Sequence, residues 1–81
     1  MFPEIRMVVT FPNTTAAMAF KDYCETNDVP GRLVPIPQSL HAGCGQAWSA
    51  PLSARKQLEG ATSAPGIRYS EVTLVEQEAE H

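Results

Sequence analysis

EIRMVVTFPNTTAAMAF, residues 4–20, decides the architecture. Its first half alternates. Ile5, Met7, Val9 and Phe11 fall on one side, with Glu4, Arg6, Val8 and Thr10 on the other. That period of two predicts a β-strand with one buried face. Pro12-Asn13 breaks the alternation, and Asn13 or Thr14 offers a side-chain oxygen to the first free amides of a helix. The period then changes. Over residues 14–27, Ala17, Phe20 and Cys24 recur at helical spacing with Ala16 and Tyr23 beside them, while Lys21, Asp22 and Glu25 lie opposite. This is an amphipathic helix that covers the strand before it.

Working outward, Asn27-Asp28-Val29-Pro30-Gly31 is a turn by composition. Arg32 to Ile36 is a short apolar run that reads as a strand, and Pro35 and Pro37 assign it to a sheet edge or a strand end. Gln46 to Ser49 is the next short strand. Ser49-Ala50-Pro51 reads as a helix start, with Leu52, the aliphatic stem of Arg55, Leu58 and Ala61 as the covering face. Gly60 weakens this second helix, and Ser63-Ala64-Pro65-Gly66 ends it. Arg68 to Glu76 is the last strand, with Val72 and Leu74 on one side. The order β-α-β-β-α-β predicts an α+β fold of the ferredoxin-like kind, an antiparallel sheet with two helices on one face. Residues 1–76 are expected to form one such domain and 77–81 a polar tail, in which His81 is given no functional role.

Eighty-one residues allow a single modest core. A hydrophobic share of 43% and a charged share of 19% are those of a folded globular chain. The net charge is −3, from six Lys and Arg against nine Asp and Glu. That balance argues against a nucleic-acid partner and against a polybasic membrane patch. No apolar run approaches the roughly 20 residues that span a bilayer, and the start lacks the form of a secretory signal. A cytoplasmic protein with two free thiols is therefore expected.

PIPQSLHAGCGQAW, residues 35–48, carries the chemistry. Cys44 stands between Gly43 and Gly45, with His41 three residues before it. Flanking glycines remove the Cβ atoms that would shield the sulfur, and they can turn successive amides toward an anion. Such a nest favours thiolate, the reactive form. His41, folded back, can act on the thiol as imidazolium or as a base. The competing reading takes Cys44 as a small buried hydrophobe and His41 as a solvated loop residue. Cys24, at core spacing in the first helix, is read as structural. Trp48 is read as core filler, and the two prolines as guards of an edge strand.

A metal site is poorly supported, since His41-x-x-Cys44 supplies two ligands where a closed zinc site needs four. No Ser-His-Asp set, phosphate-binding Gly-rich loop or paired-carboxylate motif stands out, so a self-sufficient hydrolase is not expected.

The strand ending in Phe11, the run Asn13-Thr14-Thr15-Ala16-Ala17, the run Leu33-Val34-Pro35-Ile36-Pro37, Ser39, and Gly43-Cys44-Gly45-Gln46-Ala47 lie within Val8 to Trp48. Together they resemble the Se/S carrier protein-like family, small bacterial domains of unknown function. The resemblance implies that Cys44 carries sulfur or selenium as a persulfide or selenopersulfide, with Gly43 and Gly45 giving access and Ser39 and His41 in support. It implies a cysteine desulfurase or a selenium-metabolism protein as partner, no cofactor, and a carrier or accessory role rather than a self-sufficient enzyme. Relatives commonly place a basic residue after the second proline. Here Gln38 stands there, so thiolate activation falls to His41 or the backbone. Two alternatives stay open. One is a non-enzymatic interaction or small-ligand-binding module of the ferredoxin-like kind. The other is a metal chaperone, disfavoured because such carriers present two cysteines in one loop. A homodimer through an edge strand or the sheet face is also open.

Overall fold

The computed structural model describes residues 3–35 and 45–78. Four strands and two α-helices follow one another as β1 (Pro3–Thr10), α1 (Thr14–Thr26), β2 (Arg32–Pro35), β3 (Gln46–Pro51), a 3₁₀ turn (Leu52–Ala54), α2 (Arg55–Thr62) and β4 (Glu71–Glu78). The strands form one antiparallel sheet in the order β2-β3-β1-β4. The fold is α+β.

β1 and α1 form where the periodicity places them. Met7, Val9 and Phe11 enter the core from β1, and Ala16, Ala17, Phe20 and Cys24 meet them from α1. Asn13 supplies the cap, its Oδ1 accepting from the amide of Ala16 at 2.8 Å. That bond satisfies one of the four amides a helix start leaves free. The far end of α1 closes by backbone geometry. Asp28 adopts φ +57, and the Val29 amide donates back to the Cys24 carbonyl at 2.8 Å. This left-handed close returns buried Val29 to the core, a Schellman arrangement built on aspartate instead of glycine.

The core runs as an aromatic chain. Phe11 and Phe20 lie 5.2 Å apart between ring centroids, and Phe20 meets Trp48 edge-on at 5.7 Å. Trp48, from β3, fills the core as expected, and its indole nitrogen donates to the Pro30 carbonyl at 3.2 Å. Leu58 and Ala61 of α2 complete the same cluster. Both helices therefore pack on the face that carries Met7 and Val9, and they touch each other there. Each fully buried side chain of this size contributes about 1.5–3 kcal/mol relative to exposure.

Three expectations are corrected. Ser49-Ala50-Pro51 does not start a helix. All three extend β3, opposite Val8, Met7 and Arg6 of β1. A Ser-x-Pro step suits a strand end as well as a helix start, and the free β1 ladder claims it. The covering face of the second helix also shifts. Leu52 and Arg55 are exposed, and Ala54 is buried instead. The intervening 3₁₀ turn has three residues per turn rather than 3.6, which rotates the register of everything before α2. Finally, β1 is buried on both faces at its centre, since Val8 and Thr10 are as covered as Val9. Val8 lies between Ser49 on β3 and Thr73 on β4, and strands on both flanks shield a central residue that an isolated pattern leaves open. On this second face Arg6 reaches across to β3, its Nε donating to Ser49 Oγ at 3.1 Å.

Smaller shifts concern element ends. β2 is described over Arg32–Pro35, with Ile36 outside the described residues, and β4 begins at Glu71 rather than Arg68. β2 lies at a sheet edge, where its proline placed it.

Candidate functional site

β2 and β3 make a hairpin whose last paired residues are Pro35 and Gln46. The segment between them holds the sequence motif. Ser39, His41, Gly43 and Cys44 lie outside the described residues, so their site is built from its frame.

Gly45 is the last residue before the frame closes. It is exposed, with φ +75, and among the described residues a Cβ built on it would meet nothing within 4 Å. Glycine is thus required here by the left-handed backbone, not by crowding within the chain.

The frame fixes where the two strands that bound the segment end. β1 ends at Thr10, which pairs with Ala47 near the start of β3 and with Glu71 at the start of β4. The ends of β2 and β3 that bound this segment, the entry to α1 and the entry to β4 therefore share one end of the sheet. α1 packs on β3 and β2, the strands that bound the segment, and starts from this end. Its first turn contains no acidic residue, so the positive end of the helix is not neutralised there. The same end is tied down locally. Thr10 Oγ1 accepts from the Glu71 amide at 3.2 Å, and the Ser70 amide donates to the Thr10 carbonyl at 2.7 Å. The shared end was not readable from residue order, because it depends on strand pairing.

The described cysteine behaves as expected of a structural one. Cys24 is fully buried against the sheet, and burial pushes its thiol up to about 11 from an ordinary 9.0. It stays protonated at neutral pH and is a poor nucleophile. Among the described residues no three His, Cys, Asp or Glu side chains cluster as a metal site would need. No helix among them is long and apolar enough to cross a membrane.

Residues 6–73 match the family model described as "Putative Se/S carrier protein-like". No curated protein and no solved structure matches the chain.

Proposed function

The chain belongs to the Se/S carrier protein-like family, and we propose that it carries sulfur or selenium on Cys44, between a cysteine desulfurase or selenium-metabolism protein and an acceptor. The observation that carries this reading is the family match over residues 6–73, a span that includes the Gly43-Cys44-Gly45 step. Two features of the frame support it. The open left-handed turn at Gly45 leaves room for a partner's active site. The unneutralised start of α1 lies at the same end of the sheet, where it favours an anion such as a thiolate or persulfide. Buried Cys24 leaves Cys44 as the thiol for the task.

The chemistry is thiol exchange. The Cys44 thiolate attacks the outer sulfur of the desulfurase persulfide. The S–S bond of the donor breaks, one forms on Cys44, and the donor cysteine leaves as thiolate. An acceptor thiolate then attacks the outer sulfur on Cys44 and restores the Cys44 thiolate. No external oxidant or reductant is consumed. Selenium follows the same path from an S–Se bond. His41 is the side chain that assists ionisation, while Ser39 and Gly43 shape the segment. A carrier of this kind needs no cofactor and acts in the cytoplasm as an accessory protein rather than an enzyme. The order β2-β3-β1-β4 with both helices on one face supports reading the scaffold as ferredoxin-like.

The test is intact-mass analysis after incubation with a cysteine desulfurase and cysteine or selenocysteine. Cys44→Ser abolishes the adduct of about 32 Da per sulfur, and Cys24→Ala retains it. Loading that survives Cys44→Ser removes the proposal and leaves the interaction module as the reading.

A further inference from the structure

The end of the sheet that bounds the motif holds little positive charge. Residues 36–44 contain no lysine or arginine, and the whole chain has six. Arg6 stands opposite Pro51 and donates to Ser49 Oγ, and Arg32 stands opposite Ser49, both toward the other end of the strands. Arg55 and Lys56 open α2, which begins beyond Pro51 at that far end. Lys21 lies along α1 and pairs with Glu25 at 3.0 Å. Arg68 is the sixth cation, and it belongs to the motif end. Two residues after it, the Ser70 amide donates to the Thr10 carbonyl at 2.7 Å, and Thr10 pairs with Ala47, three residues after Cys44. Just before it, Ile67 packs against the core, and its amide donates to the Ala64 carbonyl at 3.2 Å. Arg68 is thus held between two anchors. It is exposed and has no carboxylate partner among the described residues. Exposed Glu71 is the nearest described acid along the chain.

Resting on the reading of Cys44 as the carrier thiol, we infer that Arg68 is a specificity-determining residue for the transfer, favouring donors that carry negative charge beside the reacting sulfur. Covalent reach alone bounds the separation. Cys44 is three residues from Ala47 and Arg68 is two from Ser70, and both anchors sit on Thr10. An extended residue spans at most about 3.6 Å, so the Cα atoms of residues 44 and 68 are no more than about 30 Å apart whatever path the chain takes. The Debye length at an ionic strength of about 10 mM is also about 30 Å. A donor that reaches Cys44 therefore meets the field of Arg68. Glu71 offsets part of that field, and the unneutralised start of α1 adds to it. Charge placed in this way acts chiefly on the rate of encounter. The chemistry it selects is a persulfide with a carboxylate nearby, whether in a small molecule such as cysteine persulfide or among acidic side chains of a desulfurase.

The test compares two disulfides on the full chain, dianionic 5,5′-dithiobis(2-nitrobenzoate) and neutral 4,4′-dithiodipyridine, at about 10 mM ionic strength. In each reaction the Cys44 thiolate attacks one sulfur, the S–S bond of the reagent breaks, and one aromatic thiolate leaves. Peptide mapping confirms that the label is on Cys44. The ratio of the two rate constants cancels any change in the thiolate fraction and reports the field alone. Arg68→Glu lowers the anionic-to-neutral ratio roughly twofold to fivefold, Arg68→Lys keeps it, and about 0.5 M salt abolishes the difference. Lys56→Glu, the same charge change at the far end, moves the ratio less. An unchanged ratio in Arg68→Glu, or an equal response in Lys56→Glu, overturns the inference and leaves the carrier reading standing. A native Cys44 inert to both reagents removes the two together. Loading by a cysteine desulfurase, followed by mass, then separates the donors. Slower loading of Arg68→Glu assigns the preference to a protein-bound persulfide, and unchanged loading with a lowered ratio assigns it to small anionic persulfides.

Discussion

Gly31 lies so close to Trp48 that a Cβ at residue 31 would stand 2.5 Å from the indole nitrogen and 2.6 Å from the Ser49 carbonyl oxygen. The backbone at Gly31 has φ +126, a conformation that side-chain-bearing residues rarely adopt. This contact lets the chain enter β2 beneath the indole, while Trp48 bonds the carbonyl of Pro30 just before it. Gly31→Ala therefore meets both strain and overlap with a backbone atom. The expected cost is about 2–3 kcal/mol, read as a lower urea midpoint at unchanged slope. A midpoint equal to wild type would show that β2 shifts away freely.

Cys24 links stability to pH. Its thiol ionises near 9.0 in the unfolded chain and near 11 when folded. Between these values the native state keeps a proton that the unfolded state has lost, so stability falls as pH rises from about 9 and levels off above about 11. Below pH 9 the contribution is fully present. The shift corresponds to roughly 2–3 kcal/mol across that window. Urea titrations from pH 7 to 11 on wild type and Cys24→Ala isolate it, because Cys24→Ala lacks that part of the slope while other titrating groups remain. Parallel curves would contradict the assignment.

The two cysteines are expected to differ in reactivity under native conditions. At pH 7.5 an alkylating reagent modifies Cys44 and spares Cys24, which reacts only after denaturation. Peptide mapping distinguishes the two. Rapid native labelling of Cys24, or a Cys44 as slow as Cys24, is the result that would remove Cys44 as an exposed carrier thiol.

Asn13→Ala removes the oxygen that accepts from Ala16 at 2.8 Å. The loss is about 1 kcal/mol, and Asn13→Asp recovers most of it because aspartate caps equally well and favours the helix start electrostatically. Thermal melts of the three proteins give the comparison. If loading by a desulfurase is also measured, the added negative charge of Asn13→Asp at the α1 end slows it, whereas Asn13→Ala changes it little. Equal loading of both variants would separate α1 from the chemistry.

The motif proposed to carry sulfur or selenium was legible because it is local. Gly43-Cys44-Gly45 between a Pro-x-Pro run and a short strand is recognisable without knowing what surrounds it. Of its glycines, Gly45 lies in the left-handed region with no described residue within 4 Å of a Cβ there, which composition alone did not distinguish from a close-packed glycine. That the strand ends bounding the motif share one end of the sheet with the start of α1 was not legible. Thr10 is far in sequence from both Ala47 and Glu71, and only the pairing of β1 with both strands brings these ends together.

By itself the sequence determined β1, α1 and the helix-side core. Alternation over residues 4–11 and helical spacing from Ala17 to Cys24 are local periods, and burial of one apolar face follows from them directly. The tertiary structure decided the rest, where local signals were evenly balanced. Ser49-Ala50-Pro51 became strand because β1 supplied hydrogen-bonding partners that a helix start there would have left unpaired. Val8 and Thr10 became buried because β1 sits inside the sheet. Val72 and Leu74 stayed exposed, with the same alternation, because β4 sits at its edge. Burial in a sheet depends on neighbours from distant parts of the chain, and no local period encodes which strand will have one on each side.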